Sequence, residues 1–231
     1  MRKSRILTLI VAFTLSLPVV RAADSDPETL VRRARDLFGY GRWSDARHEL
    51  LRAREALEPV DRLLSQEIEY YLAACAVELG SADAEAALRE FENRYPESVY
   101  ANDVRFSLGS FYCAAGNMPK AREAFERTNY NALSAPRREQ YDIRMGYVEF
   151  SEGDYKAAYE HFDRIGSRSE YADHARYYLS YIDYAEGRYA RAKQGFEVLK
   201  GSDAYGALVP YYLLQIEFRE GNYRYVVEHG D

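Results

Sequence analysis

The sequence predicts an all-α protein, a right-handed α-solenoid built from about six helix–turn–helix repeats. A glycine is followed five residues later by alanine and nine residues later by a large apolar residue, as in Gly153, Ala158 and Phe162. Copies of this motif are separated by 41, 34, 37, 34 and 34 residues. A period near 34 is typical of helix–turn–helix arrays. The six motifs start at Gly41, Ala82, Gly116, Gly153, Gly187 and Gly221.

Each position of the motif has a structural reason. The glycine is expected to end the first helix, because it adopts left-handed backbone angles without a steric penalty. An aromatic residue two positions later is expected to fill the gap between neighbouring helices. Repeat 2 departs from this pattern, since it has Ala82 and Ala84 at these two positions. The aromatic residues are Trp43, Tyr155, Tyr189 and Tyr223.

A small residue precedes the motif by seven positions in most repeats, which predicts that the two helices of a repeat approach closely there. In repeat 4 this places Gly146 next to Ala158. Repeat 6 is the exception, because Leu214 occupies the position. The six residues are Ala34, Cys75, Gly109, Gly146, Ser180 and Leu214.

Twelve helices follow from this register. Pro119 and Pro136 suit first-turn positions, where the missing N–H group costs nothing, and Ser134 suits an N-cap. Pro210 is expected to shift or kink the start of its helix. The first helices are predicted at 27–39, 65–80, 99–115, 136–152, 170–186 and 207–220, and the second helices at 43–57, 83–94, 119–129, 155–165, 189–200 and 223–230. The corresponding repeats are 27–57, 65–96, 99–131, 136–167, 170–202 and 207–231.

Residues 1–22 are predicted to be a signal peptide, which leaves one continuous domain at 23–231. A basic start is followed by an apolar stretch, 6–20, and by the small-x-small sequence Val20-Arg21-Ala22. The alternative is an uncleaved anchor, but the apolar stretch is short for a membrane span. The exported chain is then expected in the periplasm or at the outer membrane of a Gram-negative bacterium, with a eukaryotic secretory route as the alternative.

Charge argues against nucleic acid as a partner. Removal of the four basic residues at 1–22 changes the formal net charge from −6 to −10. An acidic chain is a poor nucleic-acid binder. The chain ends partway through the second helix of repeat 6, so either this helix frays or the sequence is the N-terminal part of a longer array.

No enzyme motif, cofactor site or metal site is recognised, so a non-catalytic function is expected. His48-Glu49-Leu50-Leu51 begins like a zinc-protease helix, but Arg52 stands where the second histidine is needed. His161 and His229 are expected to be helix-surface histidines on separate repeats. Cys75 and Cys113 are expected to be unpaired apolar residues, although export would permit a disulfide.

The motif resembles the tetratricopeptide repeat (TPR) family over roughly residues 27–231. A narrower resemblance in segment 88–129 links it to the lipoprotein scaffold of the outer-membrane barrel-assembly machinery and to the periplasmic coordinator of the Tol–Pal system. The lipid-anchor cysteine of the former and the coiled coil of the latter are absent from this sequence. The resemblance implies protein–protein interaction within an envelope assembly, with the first helices lining a concave groove.

The groove positions predict a binding surface rich in tyrosine, which is common among interface hot spots. We expect protein or peptide segments to contact six residues from repeats 4 to 6: Arg144, Tyr147, Tyr178, Tyr181, Tyr212 and Gln215. Packing between first helices is the alternative for each tyrosine.

These features predict a scaffold that binds proteins in the bacterial envelope. After signal cleavage we expect no stable membrane insertion, although the protein could join a membrane-associated complex. One alternative is a coordinator of outer-membrane or cell-wall biogenesis enzymes. Another is a glycan-capture protein of an outer-membrane uptake system, although such proteins need a lipid-anchor cysteine.

Overall fold

The computed structural model describes residues 26–58 and 61–230, and this part of the chain is an all-α solenoid, as predicted. The signal-peptide prediction for 1–22 lies outside the described residues. The twelve helical bounds lie within three residues of those expected from the motif. The helices are α1 Pro27–Gly39, α2 Trp43–Ala56, α3 Arg62–Glu78, α4 Ala84–Arg94, α5 Ala101–Ala114, α6 Met118–Glu126, α7 Ala135–Ser151, α8 Tyr155–Asp163, α9 Ala172–Ala185, α10 Tyr189–Val198, α11 Val209–Arg219 and α12 Tyr223–His229.

Contacts in the solenoid run between neighbours. Every helix packs against the next one in the chain, and the first helices of repeats 1 to 4 also contact one another in sequence. Pro119, Pro136 and Pro210 all lie in the first turns of their helices, so α11 simply starts at Val209. Ser134 occupies the N-cap position of α7 but makes no capping hydrogen bond through its side chain.

A left-handed glycine ends the first helix of every repeat. Five of the six lie at predicted motif starts, such as Gly153 with φ 82°. Repeat 2 differs from the prediction, because Gly80 with φ 61° ends α3, not Ala82. Alanine disfavours these angles, so the turn forms at the glycine two residues earlier. The full set is Gly41, Gly80, Gly116, Gly153, Gly187 and Gly221.

This shift corrects the register of repeat 2. The alanine and the large apolar residue of the motif are here Ala84 and Leu88, both buried, four and eight positions after Gly80. The connection is therefore one residue shorter than in the other repeats. The small residue seven positions before the glycine is Ala73, not Cys75. Cys75 is buried and unpaired, and burial raises the pKa of its thiol to about 11.

In repeats 3 and 4 the close approach of the two helices occurs opposite a ring. A Cβ atom added to Gly109 would lie 2.5 Å from Phe125 Cδ1, and one added to Gly146 would lie 2.8 Å from Phe162 Cε1. The small residue therefore accommodates the aromatic residue of the second helix in these two repeats. Phe125, Phe162 and Phe196 are fully buried.

The first helix of the following repeat covers the other side of these rings. Tyr178 stacks on Phe162 with ring centroids 4.9 Å apart and an interplanar angle of 10°. Tyr212 stacks on Phe196 at 4.7 Å and 2°. One phenylalanine thus joins both helices of its own repeat to the next repeat.

Buried carboxylates form hydrogen bonds and ion pairs between helices. Glu92 accepts hydrogen bonds from Arg105, at 3.0 Å from Nε, and from Arg127. Asp142 lies 2.7 Å from the Nδ1 atom of His161. Burial alone would raise the pKa of Asp142, but hydrogen bonds from His161, Tyr130 and Arg164 lower it. A buried carboxylate requires such partners.

The contact between Gly146 and Phe162 predicts a stability effect. Gly146→Leu should lower the free energy of unfolding by about 1–3 kcal/mol, because the new side chain would displace the buried ring. Gly39→Leu is the matched control, since Gly39 has nothing within 4 Å of an added Cβ. Chemical denaturation followed by circular dichroism measures both. Equal stability of the two variants would show that the close approach is unimportant.

Candidate functional site

The six predicted groove residues lie on three first helices, α7, α9 and α11. Arg144 and Tyr147 are on α7, Tyr178 and Tyr181 are on α9, and Tyr212 and Gln215 are on α11. Their separation of three residues within each helix places both members of a pair on the same helical face. The structure divides them into packing residues and accessible residues.

Tyr178 and Tyr212 are mainly packing residues. Besides stacking on the phenylalanine of the preceding repeat, Tyr212 is joined to Tyr177 by a hydrogen bond of 2.9 Å between their hydroxyl oxygens. Burial raises the pKa of the Tyr178 hydroxyl to about 12, and burial also raises that of Tyr212. Most of each of these two rings packs between repeats, which was the alternative to partner binding. Only part of each side chain remains accessible to a partner.

Tyr147 is the most accessible tyrosine of the six residues, with 37% of its surface exposed. Its ring lies 5.9 Å from that of Tyr178, between centroids. Tyr181 is half-buried and packs against Phe150 at 5.2 Å and against Tyr212 at 5.9 Å. Tyr178 and Phe150, with ring centroids 4.9 Å apart, connect Tyr147 to Tyr181.

These contacts form a continuous aromatic band across repeats 4 to 6. We define the aromatic band as Tyr147, Tyr178, Phe150, Tyr181 and Tyr212. Phe150 was not among the predicted site residues. The signal that could have found it is the position three residues before the glycine, which is aromatic in each of these repeats and contacts the aromatic residue after the glycine. The contacting pairs are Phe150–Tyr155, Tyr184–Tyr189 and Phe218–Tyr223.

Arg144 supplies a positive charge beside the band. It is half-buried, and its guanidinium donates hydrogen bonds to the backbone oxygen and the side-chain Oε1 of Gln140, at 3.5 and 3.4 Å. It lies 5.9 Å from the centre of the Phe106 ring. No carboxylate within the described residues pairs with it. Gln215 is half-buried on α11.

The histidines do not form a metal site in the described part of the chain, where no group of three potential ligands was found. His161 is half-buried and bonded to Asp142, so it is not the plain surface histidine expected from the sequence. His229 is exposed and stacks on Tyr225. Among the helices between residues 26 and 230, none has the length and apolar character needed to cross a membrane.

Solved structures with the same helical arrangement identify the fold. One is a tetratricopeptide repeat protein from Parabacteroides merdae, with a TM-score of 0.59 and 16% identity, covering 88% of this chain and 77% of that one. Another is pilF from Pseudomonas aeruginosa, with a TM-score of 0.60 and 14% identity, covering 88% of both chains.

The chain has the tetratricopeptide-repeat fold. A third TPR-like match is a chain of the APC/C Cut9–Hcn1 hetero-tetramer, with a TM-score of 0.55 and 14% identity, where this chain aligns over 86% of its own length and 38% of the other. No family model matches the sequence, and no curated protein does. At these identities the similarity concerns the fold alone.

The two kinds of tyrosine should respond differently to mutation. Tyr178→Ala should lower the free energy of unfolding by about 2 kcal/mol, because it removes a stacked ring from an interface between repeats. Tyr147→Ala should change it by less than about 0.5 kcal/mol, since much of that ring is exposed. Urea titrations of both variants test the division. Equal losses would place Tyr147 in the core.

Proposed function

We propose that this chain is a non-catalytic scaffold that binds protein or peptide segments across the first-helix surface of repeats 4 to 6. The aromatic band carries this proposal, because it joins rings of three repeats into one surface with an accessible edge at Tyr147. Partly packed tyrosines offer contact area while losing little conformational entropy on binding. The TPR fold supports a binding role, and one structural neighbour is a chain of a hetero-tetramer.

The expected partner has an apolar or aromatic segment next to an acidic group. The aromatic band would contact the apolar part, and Arg144 would pair with the acidic group. Arg144 suits this task because its existing hydrogen bonds go to the neutral Gln140, and a guanidinium binds a carboxylate through two parallel donors.

We further propose that binding takes place in the bacterial envelope, as part of a larger assembly. The motivation is the sequence of residues 1–22, which has the three regions of a secretory signal. Cell fractionation of a bacterium expressing the tagged chain tests this part. Retention in the cytoplasm with an uncleaved N terminus would refute it.

Peptide selection tests the binding surface. Peptides selected from a displayed random library on the wild-type chain should bind the Arg144→Gln/Tyr147→Ala double variant about tenfold or more weakly, as is common for hot-spot residues. Fluorescence anisotropy with labelled peptides measures the affinities. Tyr40→Ala is the control, because Tyr40 is an 82% exposed tyrosine in repeat 1.

Two results would contradict the proposal. One is a set of selected peptides that bind the double variant and the wild type equally well. The other is an equal loss of binding in Tyr40→Ala, which would show that the selection responds to exposed tyrosine in general. Circular dichroism should confirm that all variants remain helical.

A further inference from the structure

A cleft between α8, α9 and α10 lies apart from the aromatic band. It has a volume of 420 Å³, and none of the six predicted groove residues lines it. Its walls combine an apolar side with polar groups. Among its lining residues are Asp163, Ile165, Ser167, Arg176, Leu179 and Val198.

Arg176 in this cleft has no partner. It is half-buried on α9. Every other half-buried arginine of the described chain makes a hydrogen bond or an ion pair: for example, Arg105 bonds to Glu92 and Arg122 bonds to Glu152. None of the Arg176 guanidinium nitrogens is among the fully buried atoms without a hydrogen bond in the described chain, so they keep contact with solvent in the cleft. An incoming acceptor can therefore reach them.

Comparison of the repeats shows what is missing. Arg176 lies eleven residues before its turn glycine, the position of Arg105 in repeat 3 and Asp142 in repeat 4. Arg105 is satisfied by Glu92 Oε1 at 3.0 Å and by the backbone oxygen of Pro96 at 3.1 Å.

In repeat 4 the residue at this position is Asp142, and two of its hydrogen-bond partners come from the second helix of the same repeat and the C-cap of that helix. Asp142 contacts His161 at 2.7 Å and Arg164 at 3.1 Å. The corresponding residues of repeat 5 are Gly195 and Val198, which carry no polar side chain. The side chain of Ser180 fills the place of a side chain at Gly195, since an added Cβ would collide with Ser180 Oγ. Both Gly195 and Val198 line the cleft.

We propose that the cleft binds a ligand carboxylate on a short aliphatic stem, paired with Arg176. At the corresponding position of repeat 3, Arg105 donates a hydrogen bond to the carboxylate of Glu92. A carboxylate is therefore a suitable partner for an arginine at this position. Asp183 also lines the cleft, but it is already paired with Arg188 at 2.6 Å and with Arg191 at 3.5 Å.

The charge and the walls define the ligand more closely. Asp183 is paired with two arginines, whereas Arg176 makes no ion pair within the part of the chain that the structure describes. Asp163 at the wall offsets part of the Arg176 charge, which favours a singly charged carboxylate over a doubly charged phosphate. Ile165, Leu179 and Val198 give an apolar wall for the stem. The ligand can be a glutamate side chain of a partner or a free short-chain acid, since both present the same group.

Nuclear magnetic resonance of the arginine Nε–Hε groups tests the proposal. Titration of the labelled protein with butyrate and with capped glutamate (acetyl-Glu-amide) should shift the Arg176 signal, which Arg176→Gln identifies by its absence. Butyramide and capped glutamine are the neutral controls. The Arg176→Gln variant should bind the acids about tenfold more weakly or not at all, as expected for a lost charged hydrogen bond.

Arg168→Gln is the matched variant, because it removes the same charge from an exposed arginine that does not line the cleft. It should bind like the wild type. A response to capped glutamate alone assigns the site to a partner's side chain, and a response to butyrate alone assigns it to free acids. No saturable shift of Arg176 with either acid, or an equal loss in Arg168→Gln, would overturn the proposal.

Ser167→Glu gives an independent measurement. Ser167 lines the cleft, so a glutamate there should pair with Arg176, raise the melting temperature above that of Ser167→Gln and compete with both acids. Equal melting temperatures together with unchanged binding would contradict the proposed pairing. Binding to the aromatic band is not involved, so this result is separate from the peptide experiment.

Discussion

The solenoid depends on one large buried side chain in the second helix of each of repeats 1 to 5. In repeat 4 this is Phe162, which meets Gly146 of its own repeat and Tyr178 of the next one. The two contacts constrain each other, because the ring can reach the first helix only where no Cβ is present, and its other face must then be covered. In such an array the stability comes from interfaces between neighbours rather than from one central core.

This constraint determines how the tyrosines are used. Tyr178 and Tyr212 complete the interfaces between repeats, and their stacked rings support the rings beside them. Tyr147 and Tyr181 then extend the same aromatic band towards the surface and contribute less to the packing between repeats. The proposed binding surface is therefore a continuation of the packing between repeats, which would hold its rings in place before a partner arrives and reduce the entropy lost on binding.

The sequence predicted what repeats regularly. The glycine that ends each first helix and the helix bounds follow from spacing and backbone sterics, and repeat 2 failed because its turn forms at Gly80, two residues before the expected position. The sequence did not predict that Phe150 belongs to the aromatic band, or that Tyr178 is a packing residue while Tyr147 is accessible. Both depend on contacts between neighbouring repeats, and the position of a residue within its own repeat does not specify these contacts. The unpaired state of Arg176 depends on its neighbours in the fold, since Gly195 and Val198 carry no polar side chain.

Hydrogen exchange with mass spectrometry tests the dependence on neighbour interfaces most directly. In Phe162→Ala, amides of α7, α8 and α9 should exchange at least about 100-fold faster, since loss of a buried phenylalanine costs about 3–5 kcal/mol. Amides of α1 and α2 should change much less, and Phe218→Ala should leave α7 to α9 unchanged, because Phe218 is 52% exposed on α11. Equal acceleration across all helices of Phe162→Ala, or none in α7 to α9, would contradict the account.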